Sequence, residues 1–287
     1  MVSTLSSSRG GPGEPPGVPR WVGAPAAAAV AYREWAPPPA LAPWVRRVWE
    51  LTVPGPSGPG RVLPDGCMDI VVLGGTLLVA GPDTGPVPIA RRAGETVTGV
   101  RFHPGAGPAV LGPRASELRD ARVPLDAVWG RDGRELEERV VAASPAAGLA
   151  VLQAQLLARL GAASLPDPMV AAAVHLLEGH PALPGRVGAL GIALGLGERQ
   201  LRRRFQAAVG YGPKTLARVL RFQRLLELLD RAGPDSPGGA RGRPSLAAAA
   251  VGAGYADQAH MTTECTRLAG LAPTALLVER RRSAQPW

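Results

Sequence analysis

The sequence predicts an α+β protein: a β-rich N-terminal module followed by an all-α domain in which one long helix joins two helix-turn-helix units. Two patterns predict the halves. Short β-branched and aromatic runs bounded by Gly and Pro lie in the first, and apolar residues recurring every three or four positions fill the second. The third observation is charge. Of the formal net charge of +9, residues 1–167 hold 16 Arg against 15 Asp+Glu, a net of +1, and residues 168–287 hold 16 Arg+Lys against 8 Asp+Glu, a net of +8. A cationic excess confined to one domain suits a polyanionic partner, because each neutralised phosphate releases condensed counterions. Charge by itself fits a solvated basic face equally well.

With 287 residues the chain is long enough for about two domains. The expected division is a disordered tail over 1–28, a β-rich sensor or dimerisation module over 29–130, a helical bridge over 131–165, a double helix-turn-helix domain over 166–282 with a flexible loop at 232–244, and a tail over 283–287. No run approaches the ~18 to 20 apolar residues of a membrane span. Met1 to Arg20 carries Ser, Gly and Pro where a signal peptide has its apolar centre, so a soluble cytoplasmic protein with no membrane contact is expected. Cys67 and Cys265 have no CxxC or Cys/His spacing, which argues against a disulfide framework or a structural zinc site. Lys214 is the one lysine, and Ala, Gly and Pro abound, the mark of a GC-rich coding sequence; single Gly and Pro residues are correspondingly weaker turn signals.

In the first half Trp44 to Val53, Met68 to Leu73, Leu77 to Ala80 and Thr96 to Phe102 read as strands. From Arg131 the texture changes to RDGRELEERVVAA and AAGLAVLQAQLLARL, two amphipathic helices that bury a face against their own domain or, less commonly, against a second copy. Asp167 to Leu183 reads as the first helix of the C-terminal domain, with Asp167 as cap and Pro168 in the first turn. His175 and His180 are off the i, i+4 spacing of a helical metal pair, so no metal is expected there.

Val187 to Val209 (VGALGIALGLGERQLRRRFQAAV) has the anatomy of a helix-turn-helix. Val187, Leu190, Ile192 and Leu194 mark a short helix, Gly195 and Gly197 supply the turn, and Glu198 opens a second helix where a negative charge suits the dipole. On that helix Leu201, Phe205, Ala208 and Val209 share a face at ~100° per residue. Arg199, Arg203 and Gln206 project oppositely, with Arg202 and Arg204 on the flanks. A major-groove reader needs this pattern: the buried stripe anchors the helix and long donors reach guanine edges or phosphates. After Tyr211, Gly212 and Pro213 comes an amphipathic segment, Lys214 to Arg231. Its apolar face includes Leu216, Val219, Phe222, Leu225 and Leu229, while Lys214, Arg218, Arg221 and Arg224 line a polar one. Its 18 residues span about 27 Å at ~1.5 Å per residue, enough to hold two recognition helices about one DNA turn apart. The second unit runs from Ser245 to Leu277. A helix over Leu246 to Val251 leads through Gly252 and Gly254 to Asp257, a cap, and Met261, Cys265 and Leu268 form the next buried stripe.

These residues resemble the AraC/XylS-type (arabinose-regulator) family of bacterial transcription regulators over roughly Met169 to Arg282, most specifically in LRRRFQAAVGYGPKTLARVLRFQRLL and AGYADQAHMTTECTRLAGLAPTAL. The resemblance implies a seven-helix domain and places base-reading positions on Arg199, Arg202, Arg203 and Gln206, and on Gln258, His260 and Thr263. Lys214, Thr262 and Arg267 are further DNA-contact candidates. Two departures stand out. The loop Ala232 to Pro244 is longer than the family's usual connection, and Thr263 and Thr266 stand where related sequences often carry arginine. Within that loop Arg241-Gly242-Arg243-Pro244 resembles the core of minor-groove AT-hook segments, although a phosphate-grazing loop is the plainer reading. Arg61 to Val72, Val79 to Pro82 and Gly99 to Ala106 resemble an uncharacterised β-rich module that precedes the DNA-binding domain in some members, which implies a sensor or dimerisation role.

The function expected is a sequence-specific DNA-binding transcription regulator. Its partner is double-stranded DNA; a small-molecule effector at the N-terminal module, RNA polymerase and a second copy of the chain are candidates, and no cofactor is expected. Two rivals are a protein-interaction adaptor built on the helical domain and an enzyme with a site around Asp65 to Asp69. Asp65, Cys67, Asp69 and His103 invite the enzyme reading, but Pro64-Asp65-Gly66 reads as a turn, and no nucleophile elbow, phosphate loop or HExxH occurs. Catalytic and metal residues are therefore expected to be none. Nothing adjacent in sequence marks Cys67 as a low-pKa redox thiol. Trp35, Trp44, Trp49 and Phe102 are core residues or the lining of an apolar pocket.

Overall fold

The computed structural model describes residues 30–56, 58, 60–161, 165–179, 187–231 and 245–283. The expected tail at 1–28, the loop at 232–244 with its Arg-Gly-Arg-Pro segment, His180 and residues 284–287 lie outside the described residues. Among those described, eight strands form: β1 (Ala31–Trp35), β2 (Val45–Thr52), β3 (Gly60–Val62), β4 (Asp69–Leu73), β5 (Thr76–Ala80), β6 (Val87–Ile89), β7 (Thr96–Phe102) and β8 (Arg122–Pro124). Six pair antiparallel in the order β1-β2-β7-β4-β5-β8, while β3 and β6 make a separate two-stranded ribbon. The four expected strands are β2, β4, β5 and β7. Of the other four, β3, β6 and β8 have only three residues each, and all four carry Arg, Glu or Pro, which hides their period.

Period-2 alternation divides the sheet into two faces. Val48, Ile70, Leu77, Val79, Val100 and Phe102 point to one face, each fully buried. Val45 joins them despite its odd spacing from Val48, because a bulge between Val45 and Arg47 shifts the register by one. Two short helices, α1 (Gly107–Leu111) and α2 (Leu125–Trp129), and two longer ones, α3 (Arg131–Val141) and α4 (Pro145–Leu160), complete this half. Leu136 and Val140 of α3 and Leu149, Leu152 and Leu156 of α4 belong to the same buried cluster as Ile70 and Val100. The helices expected as a bridge thus form the layer that covers the sheet, burying the stripe that their amphipathic sequence carries.

The C-terminal part contains seven described helices: α5 (Pro168–Gly179), α6 (Val187–Ala193), α7 (Glu198–Ala208), α8 (Pro213–Arg231), α9 (Leu246–Ala253), α10 (Gln258–Ala269) and α11 (Pro273–Ser283). Leu201, Phe205, Phe222, Leu225, Met261 and Cys265 are fully buried in one core. The helix starts are set by the side chains that sequence indicates. Asp167 accepts from the amides of Met169 at 2.9 Å and Val170 at 3.3 Å, and Asp257 accepts from His260 N–H at 2.7 Å. Gly195 and Gly254 turn each unit with φ of 64° and 91°, left-handed values that a side chain would strain. Replacing Asp257 with alanine removes a cap and is expected to cost about 1 kcal/mol of stability. A thermal melt of the variant identical to that of the parent would show the cap to be idle. Among the described residues no helix is long and apolar enough to cross a membrane.

The two halves pack directly. Leu63, just beyond β3, lies in the core of the helical part. The Arg61 guanidinium grips Glu279 of α11 through bonds of 2.6 and 2.8 Å and donates to the Ala269 carbonyl at 2.7 Å. Arg46 of β2 pairs with Glu178 of α5 at 3.0 Å.

Candidate nucleic-acid interface

The first recognition surface follows from the rotation of α7. With Leu201, Phe205 and Ala208 turned inward, Arg199, Arg202, Arg203 and Gln206 are all exposed. No ion pair or hydrogen bond engages these four side chains among the described residues. Arg204 is different, since it pairs with the cap residue Asp167 at 2.5 Å and is held against its own domain.

Of the four cations expected on the polar face of α8, Lys214 and Arg224 are exposed, Arg218 is half-buried and Arg221 is turned inward. Arg221 is 5% exposed; it donates to Glu264 at 3.0 Å and lies 4.9 Å over the Tyr255 ring. Arg218 also bonds Glu264, and Arg224 donates to the Gly252 carbonyl at 3.2 Å. These arginines form a socket that seats the second unit on the long helix. Glu264 sits among the buried Met261, Cys265 and Leu268 of α10, where an acid is stable because two guanidiniums meet it. That acid inside an apolar stripe was the one sequence signal of the socket. Lys214 remains exposed.

On α10, Gln258, Thr263 and Arg267 are exposed and His260 and Thr262 half-buried. The hydroxyls of Thr262, Thr263 and Thr266 donate to carbonyls four residues back, at 2.8, 3.0 and 2.9 Å. They can accept from a partner but have used their donor. His260 Nδ1 accepts from the Ala256 amide at 3.4 Å, with its ring edge-on to Tyr255. The second unit therefore offers fewer long, uncommitted donors than the first. Lys214, Arg218, Arg267, His260 and Thr263 border a cleft between α8 and α10.

The residues behind the enzyme reading are used otherwise. Asp65 Oδ1 accepts from the Cys67 amide at 2.8 Å in a turn through Gly66. Its other oxygen and the Asp69 carboxylate converge on Arg101, at 3.2 and 3.0 Å. His103 bonds neither carboxylate; its Nε2 lies 3.2 Å from the Ala42 carbonyl. Burial pushes the Cys67 thiol well above the usual range, reinforced by Asp65, and burial carries the Cys265 thiol to about 11. Among the described residues no group of three His, Cys, Asp or Glu could hold a metal ion.

Two helix-turn-helix units on one connecting helix, with a basic recognition helix facing outward, define the class of DNA-binding helix-turn-helix proteins. Residues 190–278 match a family model described as a helix-turn-helix domain, and residues 33–124 match a domain of unknown function (DUF6597). The two matches place a helix-turn-helix domain behind a β-rich domain of unknown function, the pairing that the resemblance implied. No curated protein and no solved structure matches the chain.

Proposed function

We propose that this protein is a sequence-specific transcription regulator that lays α7 and α10 into successive major grooves on one side of the duplex, under the control of its N-terminal module. The observation that carries the reading is the contrast among its arginines. Arg204, Arg218, Arg221 and Arg280 are tied to Asp167, Glu264 and Asp230, while Arg199, Arg202 and Arg203 stand together, exposed and uncommitted, on the outer face of one helix. Holding three guanidiniums so close without an ion pair to any of them opposes folding by mutual repulsion, a cost that a polyanion removes. Lys214 and Arg267 add phosphate contacts, and Gln206, Gln258, His260, Thr262 and Thr263 complete the proposed reading surface.

Discrimination belongs mainly to the first unit. A bidentate arginine on guanine is worth ~1 to 3 kcal/mol against the wrong base, whereas the threonines of α10 have their donors turned to the backbone. A site selected from random DNA and a scrambled duplex, titrated at one salt concentration, test this. Arg203→Ala is expected to weaken the selected site at least fivefold more than the scrambled one, and Thr263→Ala to change both less than threefold. Equal losses on the two duplexes for Arg203→Ala would make it a phosphate contact. Affinity must also fall steeply with salt; salt-independent binding would favour a protein partner for the helical domain.

A further inference from the structure

The face of the sheet that α3 and α4 leave uncovered closes on a cavity of about 290 Å³, at the lower end of the size of small-molecule sites. Alternation supplies one wall, Trp49, Leu51, Val71 and Val97, and Val87 and Ile89 of the β3–β6 ribbon supply the other. Gly99 shapes this wall. A Cβ there would stand 2.4 Å from the Trp49 ring, so the glycine is what lets the indole lie across β7. Tyr32 stacks beside it, with ring centroids 6.1 Å apart. The Trp49 N–H is buried and has no hydrogen-bond partner among the described residues.

The charges of the lining balance, with Asp65, Asp69 and Glu95 against Arg91, Arg101 and Arg122. Arg101 is occupied by Asp65 and Asp69, and Arg122 by Asp83 at 2.7 Å. Because the three acids and three guanidiniums of the lining cancel, an ionic ligand would lose its hydration without meeting a net counter-charge, which disfavours it. One polar residue of the lining comes from the DNA-binding domain. Gln223 of α8 reaches the cavity and donates to the Pro64 carbonyl at 2.6 Å. Leu63 faces the cavity while it is buried in the helical core, and Arg61, two residues before it, holds α11. The wall is therefore continuous with the connecting helix α8 and, through Arg61, with α10 and α11.

We infer that this cavity binds a small, flat, uncharged apolar molecule with one hydrogen-bonding head group, and that its occupancy changes DNA affinity through Gln223 and the 61–65 segment. The coupling rests on the reading of the chain as a DNA-binding regulator; the binding does not. The probe is 2-naphthol, titrated by fluorescence into the full chain without DNA, beside 2-naphthoate and protonated 2-(aminomethyl)naphthalene. Saturable one-site binding of 2-naphthol is expected, at least tenfold tighter than either ion. Val71→Trp, or the smaller Val71→Phe if the first does not fold by circular dichroism, should abolish it. Saturating 2-naphthol should then shift the dissociation constant of the selected duplex fivefold or more in the parent, and not in Gln223→Leu. Coupling of that kind is reciprocal, so DNA must shift the probe affinity by the same factor. Absence of saturable binding, equal binding of the ions, or undiminished binding to a folded Val71 variant overturns the site. Binding that leaves DNA affinity unchanged overturns the coupling. A chain that binds the probe but no DNA at low salt refutes the regulator reading and leaves the site standing.

Discussion

Replacing Phe205 with alanine is expected to lower the stability of the helical domain by ~3 to 5 kcal/mol. The side chain is completely buried and shares a core with Leu201, Val209 and Phe222, so α7, the turn that follows it and the connecting helix α8 all lose contact area together. Packing at crystal-like density leaves no neighbour free to fill such a void. Thermal denaturation followed by circular dichroism reads the effect directly. DNA binding should fall on every duplex alike, because the arginines of α7 lose their support as a set. A variant with the parent's melting temperature would mean that the helix is rotated and that the basic face described above points elsewhere.

The second large effect is expected at the floor of the cavity. Arg101→Met leaves Asp65 and Asp69 facing one another without the guanidinium that now pairs with both, where the Arg101 and Asp69 side chains are only 17% and 13% exposed. Breaking a buried pair by removing one member costs about 3 to 5 kcal/mol. The loss has a predictable pH dependence. Burial already holds the Asp69 carboxyl above the usual carboxylate range, opposed by Arg101. Without Arg101 that upward shift grows. A carboxyl with a raised folded-state pKa binds more protons folded than unfolded, so unfolding free energy falls as pH rises through the window between the two values. Arg101→Met should therefore be most unstable near neutrality and recover as the pH is lowered towards the acid range, more steeply than the parent. Urea denaturation followed by tryptophan fluorescence suits the measurement, since Trp44, Trp49 and Trp129 all lie in this half. Parallel pH profiles for variant and parent would show that Asp69 does not depend on Arg101.

Among the residues named at the sequence level as an apolar lining or core, Trp49 lines the cavity, Phe102 is fully buried on the opposite face, Trp44 packs partly buried against the sheet–helix core, and Trp35 is 42% exposed. The difference between Trp49 and Phe102 is parity. They face opposite sides of one sheet, and the ribbon that encloses the cavity, β3 and β6, is too short to announce itself. His103 and the paired aspartates looked like a constellation in the sequence because they are close in number or chemistry. The register that sets Asp69 opposite Arg101 is what separates them.

Local chemistry was enough for the helical domain. Six of its described helices, α5 to α10, the caps at Asp167 and Asp257, the turns at Gly195 and Gly254, and the buried faces of α7 and α10 follow from a 3.6-residue period and from side chains that act within four residues of themselves, whereas α11 was implied only by the family resemblance. The exposure of Arg199, Arg202 and Arg203 is the other side of the same period. Long-range partners decided the rest. Arg218 and Arg221 turn inward because Glu264, more than forty positions away, would be unpaired without them. The helices α3 and α4 became a layer of the sheet, and Gln223 became part of a cavity wall, because surfaces from distant segments met and excluded water. A charged or polar side chain on a helix carries no local mark of whether an acid, a backbone carbonyl or solvent will face it; the hydrophobic period fixes only its direction, and its partner is chosen when the elements pack.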